Sequence, residues 1–229
     1  MENDTFTTYI LDFDSTIIDC ESLDELARIA LASNPYQHEI MSELENFTRQ
    51  GMAGVLPFNH SLEQRLKLFR ASQEHIAILI KDLAHHITPS LLENKAWIAE
   101  NKDHIYIISG GFEDYIKPIA VLLGLLPENV YANRFTFNTA GSVTGFDDSL
   151  LTSRADGKAA QAQALDLPHP LVAIGDGYTD YELKRAGAVD AFWAYAGHIA
   201  RPEVIAEADR IIHSFSDITP LNTEELAPA

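Results

Sequence analysis

In Thr7-Thr8-Tyr9-Ile10-Leu11-Asp12-Phe13-Asp14-Ser15-Thr16 an apolar run stops abruptly at two carboxylates separated by one residue. Thr7 to Phe13 has the length and composition of a short buried strand, and Ser22 to Leu31 follows with Leu23, Leu26, Ala27 and Ala30 at helical spacing. Strand, acidic loop, helix is the opening of an α/β unit. In such sheets ligands collect beyond the carboxyl ends of the strands, which is where Asp12 and Asp14 fall.

From this start to about residue 86 the sequence is helical. Glu39 to Arg49, Ser61 to Arg70 and Gln73 to His86 are amphipathic. Between them, Gly51-Met52-Ala53-Gly54-Val55-Leu56-Pro57-Phe58 breaks regular structure and presents apolar side chains. The pattern then alternates: strand His104 to Ile108, helix Phe112 to Leu123, helix Gly157 to Leu165, strand Leu171 to Ile174, helix Tyr178 to Ala186. Val189 to Trp193 and Arg210 to Ile212 read as further short strands. Asn133 to Phe137 and Ser142 to Phe146 flank Asn138-Thr139-Ala140-Gly141 as a hairpin. The tail from Thr219 has the composition of a frayed end. Alternation of this kind predicts a Rossmann-like parallel sheet covered by helices on both faces, the core being 1–16 and 87–229 with a helical insertion at 17–86.

The bulk composition narrows the chemistry. Sixteen Lys plus Arg against 34 Asp plus Glu give a net charge of −18, a field that repels phosphate backbones, so nucleic acid is a poor partner. The single cysteine, Cys20, precludes an internal disulfide. No apolar run is long enough to span a bilayer, and MENDTFTTYI lacks the basic start and apolar run of a secretory signal. These features predict a soluble, cytoplasmic globular protein.

Four predicted strand ends and helix starts carry the chemistry: Asp12-Phe13-Asp14-Ser15-Thr16, Ser109-Gly110-Gly111-Phe112, Gly157-Lys158, and Gly175-Asp176-Gly177-Tyr178-Thr179-Asp180. Asp12 and Asp14 crowd on one side of an extended chain, and a hard dication with Asp176 as a further ligand relieves their repulsion. Mg²⁺ suits a site that leaves positions for water and phosphate. One carboxylate can then attack phosphorus to give an aspartyl phosphate, while Asp14 protonates the leaving oxygen and later takes a proton from water. Ser109 with the Gly110 and Gly111 amides suits phosphate oxygens, and Lys158 adds positive charge. Each piece alone is weak, since Asp-x-Asp is common in solvated loops. A calcium-loop reading fails, because Ile17 and Leu23 stand where that loop needs Gly and Glu.

In this order the four pieces resemble the haloacid dehalogenase superfamily, whose pattern is D-x-D-x-T, a Ser or Thr, a Lys, and G-D-x(3)-D. The resemblance places Asp12 as nucleophile, Asp14 as acid/base, and Asp12, Asp14 (through its backbone carbonyl) and Asp176 on magnesium. Thr16 and Asp180 support them. Within the superfamily the likeness is to the phosphoserine phosphatases, carried by DFDSTIIDCESLDELA, GVLPFNHSLEQRL, ISGGF, NVYANRFTFN and GDGYTD. It implies hydrolysis of O-phospho-L-serine to L-serine, the last step of serine biosynthesis, in a monomer or homodimer whose helical insertion caps the site. It also implies that Glu21 takes the substrate ammonium, Arg65 its carboxylate, and Met52 with Phe58 an apolar wall, while Thr179 contacts phosphate in place of a common Asn.

Plainer readings stand beside these. Glu21 is equally a first-turn helix carboxylate and Arg65 a surface charge, while Arg201, near the start of a late helix, is a weaker candidate for a carboxylate contact and reads chiefly as structural. Trp193-Ala194-Tyr195-Ala196-Gly197 is bulkier than the superfamily pattern and reads as core packing. Cys20 has no evident His partner and His85-His86 lack ligand spacing, so both read as incidental. Alternatives to the hydrolase are a phosphotransferase to homoserine, a phosphatase for another small metabolite, and a non-catalytic binding module.

Overall fold

The structure is a computed structural model and describes residues 6–218; the tail expected to fray from Thr219 lies outside them. The opening stretch forms β1 (Thr8–Leu11). Four helices follow: α1 (Ser22–Ala30), α2 (Gln37–Met52), α3 (Phe58–Lys67) and α4 (Gln73–Leu83). Two short helices, α5 (Pro89–Glu93) and α6 (Lys95–Asn101), lead to β2 (Ile105–Phe112), α7 (Glu113–Leu123) and β3 (Val130–Asn133). An antiparallel pair, β4 (Phe135–Phe137) and β5 (Val143–Phe146), precedes α8 (Gly157–Leu165), β6 (Leu171–Gly175), α9 (Tyr178–Arg185), β7 (Ala191–Tyr195), α10 (Pro202–Ile205) and β8 (Arg210–Ile212).

The main sheet is six-stranded in the order β3-β2-β1-β6-β7-β8, and each of these pairings is parallel. Alternation along β1 sends Tyr9 and Leu11 to one apolar cluster and Ile10 to the other, so the sheet has a core on each face. On the first face Leu26, Leu44 and Leu79 from the helical stretch join Leu11, Ile107 and Trp193 in one cluster. On the second, Phe192 and Ala173 pack with Ala162, Leu183 and Val204 from α8, α9 and α10. Trp193 and Tyr195 are both fully buried, consistent with the packing role read for that segment.

Three differences from the sequence reading have physical causes. β2 does not stop at Ile108: its ladder to β3 slips between Ile108 and Phe112. Ser109, Gly110 and Gly111 therefore sit in an irregularity within the strand, the usual device for re-aiming a strand at a site. The hairpin arm expected over Asn133 to Phe137 is only Phe135–Phe137 (β4), and Val130–Asn133, to which the sequence reading gave no strand, forms β3 on the edge of the main sheet. The short helices α5 and α6 span under two turns each, too little for periodicity to register. Among the described residues no helix is long and apolar enough to cross a membrane.

Candidate active site

β1 and β6 lie side by side at the middle of the sheet, so the loops at their carboxyl ends meet. Phe13–Ile17 curls into one wide turn, closed by the Ile18 N–H on the Phe13 carbonyl at 3.1 Å. Within it Ser15 adopts a left-handed backbone with φ 52°. Asp12, Asp14 and Thr16 are all buried. Asp12 Oδ1 accepts from the Phe13 N–H at 2.7 Å.

Lys158, in the first turn of α8, places Nζ 2.8 Å from Asp12 Oδ1 and 2.7 Å from Asp180 Oδ1. Burial works to lower the lysine pKa, but the Asp12 and Asp180 carboxylates more than reverse this and the net shift is upward. The ammonium is therefore fixed as a cation. Asp180 Oδ2 accepts from the Gly177 N–H at 3.0 Å. Its carboxyl also lies over Gly175, where an added Cβ would come within 2.2 Å of it, so that position requires glycine.

Asp14 has a different environment. Its Oδ1 accepts from the Ser22 N–H at 2.8 Å, and Ser22 Oγ reaches Tyr115 Oη at 2.9 Å. Burial first, then the Glu21 and Asp12 carboxylates, push its pKa up to about 8. A carboxyl so placed holds a proton near neutral pH, which is the requirement for a general acid.

Asp12, Asp176 and Asp180 bring carboxylate oxygens within 4.8 Å of one another, all buried. Both Asp176 oxygens lack a hydrogen-bond partner. The Arg201 guanidinium ion-pairs with Oδ2, lies 3.2 Å from the Asp176 carbonyl and sits 4.0 Å from Glu21. Three buried carboxylates in an all-oxygen cluster, with Asp176 Oδ1 without a partner, fit a hard divalent cation. The Asp14 carboxyl stands outside that cluster, turned to Ser22. Asp180, expected only as support, joins it, though its two oxygens are engaged by Lys158 and Gly177.

Asp12, Asp14 and Lys158 line a cavity of about 30 Å³ together with Glu21, Met52, Phe58, Arg65, Ser109, Gly110, Gly111 and Thr179. The structure thus brings the predicted phosphate and substrate residues into one pocket. The Gly111 N–H is donated to Ser109 Oγ at 3.0 Å. Phe58 lies so close over Gly110 that a Cβ there would be 2.5 Å from its ring. Arg65 is buried, not a surface charge: it pairs with Asp24 at 2.6 Å while its Nε has no partner. Ser15 Oγ donates to Glu21 Oε1 at 2.8 Å, and the Glu21 pKa is raised, chiefly by burial and then by Asp24. Thr16 contributes its carbonyl, which accepts from Thr88 Oγ1 at 2.7 Å; its own hydroxyl is unpartnered.

The haloacid dehalogenase-like hydrolase family model matches residues 9–185. The chain belongs to that family. Over 90% of its length it is 34% identical to the chloroplastic phosphoserine phosphatase of Arabidopsis thaliana, covering 68% of that protein. Its fold is similar to a phosphoserine phosphohydrolase-like protein from Francisella tularensis, with TM-score 0.83, 30% identity, and coverage of 92% of this chain and 97% of that one. It is also similar to a phospho-aspartyl intermediate analogue of phosphoserine phosphatase, with TM-score 0.69, 26% identity, and coverage of 91% and 94%.

Several residues of this hydrolase's pocket escaped sequence reasoning. Asp24, which holds Arg65, looks like an ordinary first-turn acid on α1, and Thr48, which donates to Asp24 at 2.9 Å, looks like an ordinary helix residue. Arg201, named as the weaker candidate for a carboxylate contact and read chiefly as structural, reaches two acidic residues of the site. The reading of Cys20 as lacking a His partner is corrected: Cys20 and Asp19 lie beside His86, because the chain returns from α4 along the segment by which it entered α1.

Proposed function

We propose that this chain hydrolyses O-phosphoserine to serine and phosphate, with an Asp12 carboxylate oxygen as the nucleophile that carries the phosphoryl group in a transient aspartyl phosphate. The observation that carries the reading is the pairing of a buried Asp12, held by a cationic Lys158, with a proton-holding Asp14 in the same pocket. In the first step an Asp12 oxygen attacks phosphorus while Asp14 gives its proton to the departing serine oxygen. In the second, Asp14 as carboxylate takes a proton from the water that opens the acyl phosphate. Ser109, Gly110, Gly111 and Thr179 receive the phosphoryl oxygens, and Lys158 offsets their charge. Asp12, Asp176 and the Asp14 carbonyl would hold magnesium. When bound, that ion supplies positive charge that makes the phosphorus more electrophilic and offsets the crowded carboxylates.

Substrate choice rests on opposite charges in a small space. Arg65 presents a free Nε for a carboxylate, and Glu21 offers an anion for an ammonium. Met52 and Phe58 form the apolar wall. A cavity of about 30 Å³ has room for about one or two waters, so a phosphorylated amino acid enters only if the wall moves. On this reading residues 17–86 are a cap over a core of 1–16 and 87–229, opening for exchange and closing against water.

A substrate panel with and without Mg²⁺ tests the proposal. Phosphate release from O-phosphoserine should exceed that from O-phosphothreonine by at least about tenfold in kcat/KM, since one methyl group in a tight pocket is worth about 1–3 kcal/mol. Sugar phosphates should be poorer still. A flat profile would overturn the substrate assignment.

A further inference from the structure

Outside the phosphate pocket, the described residues hold one more group of metal-ligating side chains. Asp19, Cys20 and His86 each offer a ligand atom within 4.8 Å of the other two. The backbone sets this proximity. The chain passes from β1 into α1 and returns from α4 toward α5 along two crossings that run antiparallel, bridged at Ile18 and Ile87. The Asp19 N–H donates to the His86 carbonyl at 2.9 Å, and the Thr88 N–H to the Ile17 carbonyl at 2.9 Å. Two ligand candidates thus lie on the outgoing crossing and one on the returning crossing.

The donor chemistry differs from that of the phosphate pocket. Sulfur, imidazole nitrogen and carboxylate oxygen together favour zinc-class ions over magnesium. His86 places Nδ1 2.6 Å from Asp19 Oδ1, with Asp82 Oδ2 3.8 Å from Nε2, so carboxylates flank both ring nitrogens and an ion would bind between Nδ1 and Asp19. All three side chains are reachable from solvent: Asp19 is exposed, and Cys20 and His86 are half-buried. Bonds of about 2.0–2.3 Å to a tetrahedral ion put ligands about 3.5 Å apart, so the Asp19–His86 contact at 2.6 Å opens by about 1 Å to admit the ion. Burial, followed by the Asp14, Glu25, Asp19 and Glu21 carboxylates, pushes the Cys20 thiol pKa up; a dication would reverse that field.

We propose that Asp19, Cys20 and His86 form a site for one thiophilic divalent cation of the zinc class, which ties together the two crossings between the sheet and the helical stretch. An ion there restrains separation of the crossings, and so slows the movement of Met52 and Phe58 away from the pocket. That kinetic consequence rests on the cap reading; the binding itself does not.

Cobalt(II) titration of the whole chain at saturating Mg²⁺ tests it. Cys20 is the single cysteine, so any sulfur-to-cobalt charge-transfer band reports on it alone. The band should saturate at one equivalent, vanish in Cys20→Ser, and weaken in affinity by at least about tenfold in His86→Gln, with circular dichroism confirming that both variants fold. Zinc at saturating Mg²⁺ should lower kcat several-fold in the unaltered chain and much less in Cys20→Ser. Absence of the band, or its persistence unchanged in His86→Gln, would overturn the site; equal zinc inhibition of both chains with the band intact would overturn its link to the cap.

Discussion

Asp12 is the residue whose environment is most constrained: buried, tied to its neighbour's N–H, and 2.8 Å from a lysine shared with Asp180. Asp12→Asn keeps the shape and removes the nucleophile, leaving Lys158 its Asp180 partner. Turnover should fall by at least about a thousandfold with the fold retained, as losses of covalent nucleophiles do; single-turnover phosphate release alongside a melting curve checks both. Lys158→Ala should behave differently, because it leaves two buried carboxylates without their cation. Activity should vanish and stability should drop by about 3–5 kcal/mol, measured by urea unfolding. Asp24 acts through another residue. Asp24→Asn weakens the charged hydrogen bond that aims Arg65, so KM for phosphoserine should rise by about tenfold, a charge-assisted bond being worth about 1.5–3 kcal/mol. Its kcat should change much less.

At the scale of elements, much of the architecture was legible because the hydrophobic period changes along the chain. Leu23, Leu26, Ala27 and Ala30 recur on one helical face, and α1 buries Leu23, Leu26 and Ala27. The carboxyl ends of β1 and β6 were readable from acidic runs that follow apolar ones. What stayed hidden has local causes: Ser109 to Gly111 read as a loop because a slipped ladder has no sequence period, and β3 went unread because four residues are too few for alternation to register. The Asp24–Arg65 pair joins α1 to α3, and the Cys20–His86 approach joins two distant segments; neither contact has a local signature. The helical stretch shares the core of one sheet face, so it is not an appended ornament. Leu79 on α4 is fully buried in that cluster, and Leu79→Ala should cost about 2–5 kcal/mol in chemical denaturation.

Across the whole molecule, a net charge of −18 coexists with a pocket that concentrates buried carboxylates around a single lysine. Such a cluster is stabilised by a cation that binds the folded chain and not the unfolded one. At a magnesium concentration 100 times its Kd the gain is about 2.7 kcal/mol, which for a chain of this size raises Tm by about 5–10 °C. Scanning calorimetry should show that rise, and Asp176→Asn should remove most of it. The most direct test of the account is chemical trapping: quench the chain in turnover with O-phosphoserine and Mg²⁺, reduce with borohydride, and map the peptides by mass spectrometry. The account predicts homoserine at position 12, formed by reduction of the acyl phosphate and absent without substrate; no reduction product, or one at Asp14 instead, would contradict it.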